Sequence, residues 1–259
     1  MAVIDVIMFR DELDMLEGRL RELDDLVKWH VIVEAPVTHR GEPKPLHYGI
    51  NRDRFAPWKD KIIHIAVDHD LPLDRGPWAT EHAQRDAAIK ALDNIAHPDD
   101  VVLIADVDEF PPAGFDYDTV RPVVSFRQRL AMYAVDWLYP ELHTCTVAAR
   151  WRRLRNLSLA RVRDNRHAYR QHDGGWHLTW LGGLEGQRAK LAVTCHTEMT
   201  AHEAELIHSG ACYFGGAHHS GKLDMVPADV DDTWPGFIWR RECPESWFRP
   251  RTDTGSGLR

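Results

Sequence analysis

The chain has 259 residues, 44% of them hydrophobic and 28% charged, with a formal net charge of −8. That length can bury a substantial core, as one large α/β domain or two small ones. The acidic balance argues against nucleic acid, which selects a basic face, and leaves any anionic ligand to local Arg and Lys or to a bridging metal ion.

The N-terminal "AVIDVIMF" reads as a buried strand. In "DELDMLEGRLRELDDLV", Leu13, Leu16, Leu20, Leu23 and Val27 recur at three- and four-residue steps, which predicts one apolar helix face with a charged back. "HVIVEA" is a second strand, followed by a turn-rich loop, and "KIIHIAVD" is a third. "ATEHAQRDAAIKALDNIAH" predicts a helix capped by Thr80, with Ala88, Leu92 and Ile95 on its inner face. "DDVVLIADVDEF" is a fourth strand. Near-continuous Val and Ile in strands alternating with helices imply a mostly parallel sheet covered on both faces.

After Pro111 and Pro112 the pattern shortens. "VRPVVSFRQRLAMYAVDWLY", "TCTVAARWRRL" and "LSLARVR" read as strands of an antiparallel or mixed region. The stretch "DGGWHLTWLGGLEGQRAKLAVTCHTEM" is Gly-rich and then a short helix. We read a single domain, 1–259, with a donor-nucleotide half at 1–112, an acceptor half at 113–243 and a polar surface tail at 244–259. Cys145, Cys195, Cys212 and Cys243 form no CxxC pair, which predicts reduced thiols. No basic, long-apolar leader is visible, and no apolar stretch approaches the about 20 residues of a membrane span. The expectation is a soluble, cytoplasmic protein.

The fourth strand ends in Asp106, Asp108 and Glu109. With a period of two, Asp106 and Asp108 point the same way, and like charges that close call for a cation between them. Short oxygen ligands suit a hard divalent ion, Mn²⁺ or Mg²⁺, whose remaining positions a diphosphate can fill. Open α/β sheets bind ligands at this edge.

The blocks "FRDELDMLEGRLRELDDLVKWHVIVEAPVTHRGEPKPLHYGINRDRF", "WATEHAQRDAAI", "DDVVLIADVDEFPP" and "GGWHLTWLGG", in that order, resemble glycosyltransferase family 17. The resemblance implies a GT-A-like α/β fold, a Rossmann-like nucleotide-sugar-binding mixed sheet flanked by helices. It further implies an inverting, metal-dependent transfer from a nucleotide sugar, typically UDP-GlcNAc, to a glycan or small-molecule acceptor. By the same resemblance Asp106 to Glu109 match the metal and sugar-nucleotide motif, and Glu34, Thr38, His39 and Lys44 fall near the donor. In "EHAQRD", Asp86 stands where the family usually has Asn.

On this reading Asp108 ligates the metal directly, and Asp106 contributes through ribose or a metal-bound water. Glu109 orients either. Arg85 and Lys44 reach phosphate or ribose. For the base that takes the acceptor's proton, Glu185 in "LGGLEG" is the first choice, with Asp173 and Glu198 as rivals. His196 and His177 are candidate third metal ligands, while no metal spacing supports His218 and His219. Trp176 either stacks on a sugar or belongs to the core. Two other readings compete: a phosphohydrolase with Asp106 as nucleophile, and a non-catalytic or degenerate sugar-nucleotide-binding domain.

Overall fold

The computed structural model describes residues 1–67, 71–193, 205 and 225–249. Along the chain run β1 (Val3–Phe9), α1 (Leu13–Glu22), β2 (Val27–Glu34), α2 (His47–Ile50) and β3 (Ile62–Ala66). α3 (Pro77–Asp86), α4 (Ala88–Ile95), β4 (Val101–Asp106) and the two-residue β5 (Glu109–Phe110) follow. Next come β6 (Val124–Met132), β7 (Trp137–Arg150), α5 (Trp151–Leu154), α6 (Leu159–Asp164) and β8 (Arg170–Thr179). The last elements are α7 (Gly183–Val193), β9 (Val226–Pro227) and α8 (Gly236–Trp239).

One mixed sheet carries the described strands in the order β3-β2-β1-β4-β7-β6-β8-β5, with β9 beside β7. β1 to β4 are mutually parallel where they pair, as expected, and β7 lies antiparallel to β4. The expected α/β class, a mixed sheet flanked by helices, is therefore present. Alternate residues of β4 feed opposite faces: Val102 and Ile104 pack with Val33, Leu92 and Val162, while Ala105 packs with Ile7, Leu16 and Ile32. Both faces are covered, so the strands read as unbroken apolar runs. Among the described residues, no helix is long and apolar enough to cross a membrane.

Several local expectations change. "LSLARVR" is not a strand: Ser158 caps α6 by accepting from Arg161 N at 3.1 Å, and Leu159, Ala160 and Val162 face the core as helix residues. The helix expected over 79–97 begins earlier, at Pro77 behind Gly76 (φ 88°), and divides at Ala87. Thr80 does not cap it; its hydroxyl donates to the Gly76 carbonyl instead. The segment 244–249 is no free tail either, since Trp247 and Phe248 are buried in the main core and Val135 N donates to the Trp247 carbonyl at 2.7 Å. The first helix stops at Glu22, and β2 starts at Val27.

A buried ion pair ties these elements to the acidic turn. Asp5 of β1 and Arg19 of α1 are both fully buried and meet in two contacts of 2.6 and 2.8 Å. His30 of β2 adds a third contact to Asp5 at 3.0 Å. Arg19 then donates to the carbonyls of Asp106 and Glu109. Burial alone would raise the Asp5 pKa, but the Arg19 charge and hydrogen bonds hold it well below the usual carboxylate range. A depressed folded-state pKa contributes stability that is fully present above the unfolded value of about 3.9 and is lost as pH falls toward the folded one. Urea unfolding should show wild-type stability declining below about pH 4. Asp5→Asn should cost about 3–5 kcal/mol at neutral pH, because Arg19 is left buried and unpaired, and should flatten that acid decline. Equal stability of the two proteins at neutral pH would contradict this role.

Candidate active site

The carboxyl ends of the parallel strands open into a cleft of about 770 Å³, within the range of small-molecule sites. The loop after β1 supplies Arg10 and Glu12, and the loop after β2 supplies Val37, Thr38, His39 and Lys44. From α3 come Trp78, Glu81 and Arg85, at three- and four-residue steps on one helix face. His143, Arg163, Arg166, His177, Trp180 and Lys190 line the same cleft. Asp106 and Asp108 line it too.

The acidic block is not a continuing strand. β4 stops at Asp106, Val107 and Asp108 make a turn, and Glu109 starts β5, which pairs antiparallel with β8. The turn gives the three acids different surroundings. The Asp106 side chain stays 42% exposed, with Arg85 at 2.7 Å and Arg163 at 3.7 Å. Asp108 is mostly buried, with Lys190 Nζ at 3.1 Å and His177 Nε2 at 3.5 Å. Glu109 is only 1% exposed; it pairs with Arg163 and accepts from the Thr146 hydroxyl at 3.2 Å.

Burial disfavours charge on Asp106 and Asp108, yet the surrounding cations outweigh it. Arg85 and Arg163 depress the Asp106 pKa, while Lys190 and His177 hold Asp108 well below the usual range. Burial likewise opposes charge on His177, but the Cys145 sulfur and the Asp108 carboxylate raise its pKa well above the ordinary imidazole value. Burial pushes the Cys145 thiol up.

Several expected donor-side residues gather here. Thr38, His39, Lys44 and Arg85 all line the cleft. Lys44 is partly spoken for, by the Arg10 carbonyl at 3.0 Å and by Glu34 at 3.2 Å, and burial lowers its pKa. Glu34 is not a lining residue: fully buried, it accepts from Tyr48 N and contacts Lys44 and His64, holding the loop from beneath. Arg85, buried between Glu81 and Asp106, also donates to the Ala105 carbonyl, so it aims Asp106. Asp86 accepts from Ala160 N at 3.0 Å, fastening α3 to α6, a bond that Asn could make equally.

Other candidates fall elsewhere. Asp173 and Glu185 are exposed and do not line the cleft; Asp173 pairs with Arg127 at 2.6 Å, and Glu185 sits on the first turn of α7. His196, Glu198, His218 and His219 lie outside the described residues. Trp176 belongs to the core, stacked on Trp234 at 3.9 Å with its indole N–H on the Thr233 carbonyl. Beside it, Gly175 (φ 87°) brings its backbone so close to Phe110 that an added Cβ would sit 2.2 Å from that carbonyl, which seats β5 against β8.

For a divalent ion, Asp106 and Asp108 offer hard oxygen donors that the local field keeps ionised, and His177 stands in the same corner. The set fits Mn²⁺ or Mg²⁺, provided that Lys190 withdraws from Asp108 and that His177 gives up the proton it holds beside that carboxylate. A second cluster, Glu109, Cys145 and His177, brings ligand atoms within 4.8 Å of one another. It fits a cation less well, because the Arg163 guanidinium already neutralises Glu109 and the thiol is held protonated.

The family model of glycosyltransferase family 17 matches residues 1–203. The chain belongs to that family. Curated relatives include the β-1,4-mannosyl-glycoprotein 4-β-N-acetylglucosaminyltransferases of Homo sapiens, 29% identical over 226 positions, and of Rattus norvegicus, 28% identical over the same span. Each alignment covers 73% of this chain and 42% of the relative, so the chain spans less than half the length of these proteins. Among solved structures, the galactosyltransferase LgtC with donor and acceptor sugar analogues aligns over 61% of each chain, at 12% identity and a TM-score of 0.34. That likeness is slight and decides nothing about the chemistry.

The burial of Glu109 makes Arg163 a stability-sensitive cation of this family 17 cleft. Arg163→Met should cost about 3–5 kcal/mol in urea unfolding, because a buried carboxylate loses its counter-charge. Asp173→Asn, at an exposed ion pair, should cost about 1 kcal/mol or less. Equal losses from the two substitutions would contradict this assignment.

Proposed function

We propose that this chain is a glycosyltransferase that moves a sugar, GlcNAc in the first instance, from a UDP-sugar to a hydroxyl of a glycan or small-molecule acceptor, with inversion at the transferred carbon. The observation that carries this reading is the ionised Asp106–Asp108 pair at the end of β4, set in a cleft whose walls bring cations to both acids. Membership of family 17 and relatives named N-acetylglucosaminyltransferases support the reaction class and the sugar. The relatives' glycoprotein acceptor is not carried over, because the chain spans 42% of their length.

Asp106, Asp108 and His177 would hold the divalent ion, which when bound supplies Lewis-acid stabilisation of the departing diphosphate. The chain's own groups account for the rest. Arg85, anchored on the Ala105 carbonyl, fixes the Asp106 carboxylate. Lys44 and His39, on the loop after β2, face the same cleft and are placed to meet donor phosphate or ribose. Lys190, released from Asp108, would carry its positive charge to the leaving diphosphate, where fixed charge acts most strongly out of water. Trp78 and Trp180, which also line the cleft, offer apolar surface to a sugar or base.

Slow, acceptor-independent hydrolysis of a panel of nucleotide sugars with and without Mn²⁺ tests the proposal. UDP-GlcNAc should be turned over only with the metal. Asp108→Ala should lower the rate by about a hundredfold or more while leaving the fold intact by circular dichroism. Full activity in that variant would remove Asp108 from the site. Binding of UDP-GlcNAc without any turnover would favour a non-catalytic domain, and phosphate release from simple phosphoesters would favour a phosphohydrolase.

A further inference from the structure

The acidic corner engages many of the cleft's cations, but no ion pair to a carboxylate is made by Arg166 among the described residues. Arg166 follows α6 and lines the same cleft. Its Nε donates to the Thr144 carbonyl at 3.0 Å and its Nη1 to the Arg163 carbonyl at 3.5 Å. Among the described residues no carboxylate makes an ion pair with it, and its near neighbour Asp164 pairs with His82 at 3.2 Å instead. Burial, and then the Arg163 charge, lower the Arg166 pKa, against an opposing pull from Glu109 and Asp106. Half-buried cations are normally paired, and two backbone carbonyls do not neutralise a guanidinium.

His143, from β7, lines the cleft too and stacks obliquely on His177 with ring centroids 5.9 Å apart. Beside it, Arg163 is buried and spends one nitrogen on Glu109, while its Nε and Nη1 find no partner among the described residues.

We propose that Arg166, together with His143, forms an anion seat distinct from the Asp106–Asp108 corner, taking the phosphate or carboxylate oxygens of a bound ligand. The guanidinium is pre-aimed by its two carbonyl contacts, which favours a planar, two-oxygen group. Its anchor is the Thr144 carbonyl of β7, which lies across β4 from β1, β2 and β3. That is the flank away from the loop carrying Thr38, His39 and Lys44. The seat rests on the proposed glycosyl transfer only for its choice of ligand: an acid group on the acceptor sugar, or the donor's diphosphate.

Isothermal titration of the full chain tests it with five probes: pyrophosphate and glucuronate without added metal, UDP with Mn²⁺, and the neutral controls uridine and glucose. Arg166→Met should weaken pyrophosphate or glucuronate binding by about tenfold or more. Arg166→Lys should recover part of the loss, and uridine and glucose should be unaffected. Glucuronate weakened with UDP unchanged identifies an acidic acceptor; UDP weakened together with pyrophosphate identifies the donor diphosphate. Thermal melting adds a reading that a purely structural arginine would not produce: saturating anion should raise the wild-type Tm and leave that of Arg166→Met unmoved. Unchanged anion affinities in Arg166→Met, or no anion binding by the wild type, would overturn the seat. Because none of these readouts needs sugar transfer, a failed hydrolysis assay and a failed anion titration are separate results.

Discussion

The buried contact between Asp5 and Arg19 is the constraint on which the rest of the site depends. Two opposite charges with no water access are costly to bury singly, so each holds the other in place. Arg19 uses the same guanidinium to donate to the carbonyls of Asp106 and Glu109, joining the first strand, the first helix and the acidic turn in one connection. The turn is therefore placed by the deepest part of the core. Gly175 closes it from the other side by letting β8 approach the Phe110 carbonyl.

Around that fixed turn, charge is distributed with a purpose that burial alone would not produce. The three acids stand within four residues of one another, and every one meets a cation: Arg85 and Arg163 for Asp106, Lys190 and His177 for Asp108, and the shared Arg163 for Glu109. Asp106 and Asp108 can thus stay close together without the protonation that crowded carboxylates would otherwise force. The cations differ in how firmly they are held. Arg85 and Arg163 are built into the fold, whereas Lys190 reaches Asp108 along a flexible stem from α7 and shares its ammonium with the Thr179 hydroxyl. An incoming divalent ion would compete with the lysine before it competed with either arginine.

The parallel half of the fold was legible because its strands are covered on both faces, and unbroken Val and Ile runs leave few alternatives. The position of Asp106 and Asp108 followed from that, since strand ends collect at one edge. What local pattern could not carry was partnership across the chain. Lys190 lies 82 residues from Asp108, and nothing in either neighbourhood announces the other. Glu109 reads as a loop acid until β8 is seen to pair with it. "LSLARVR" alternates over a window too short to separate a strand from a capped helix, and that misreading hid Arg163, which needs helical geometry to face the acids. "ARVRDNRHAYR" did hold a signal, a basic run within an acidic chain. The glycines around Glu185 say where a backbone bends and not what a side chain faces.

The central claim is that the acidic turn and a nucleotide diphosphate share one divalent ion. Electron paramagnetic resonance of Mn²⁺ titrated with the protein measures this directly, because ordered binding suppresses the sharp signal of the hydrated ion. With UDP present, the account predicts loss of that signal to about one ion per chain, and no such loss when Asp106 and Asp108 are both replaced by Asn. A hydrated-ion signal equally strong with either protein, at UDP concentrations that saturate binding, would contradict it.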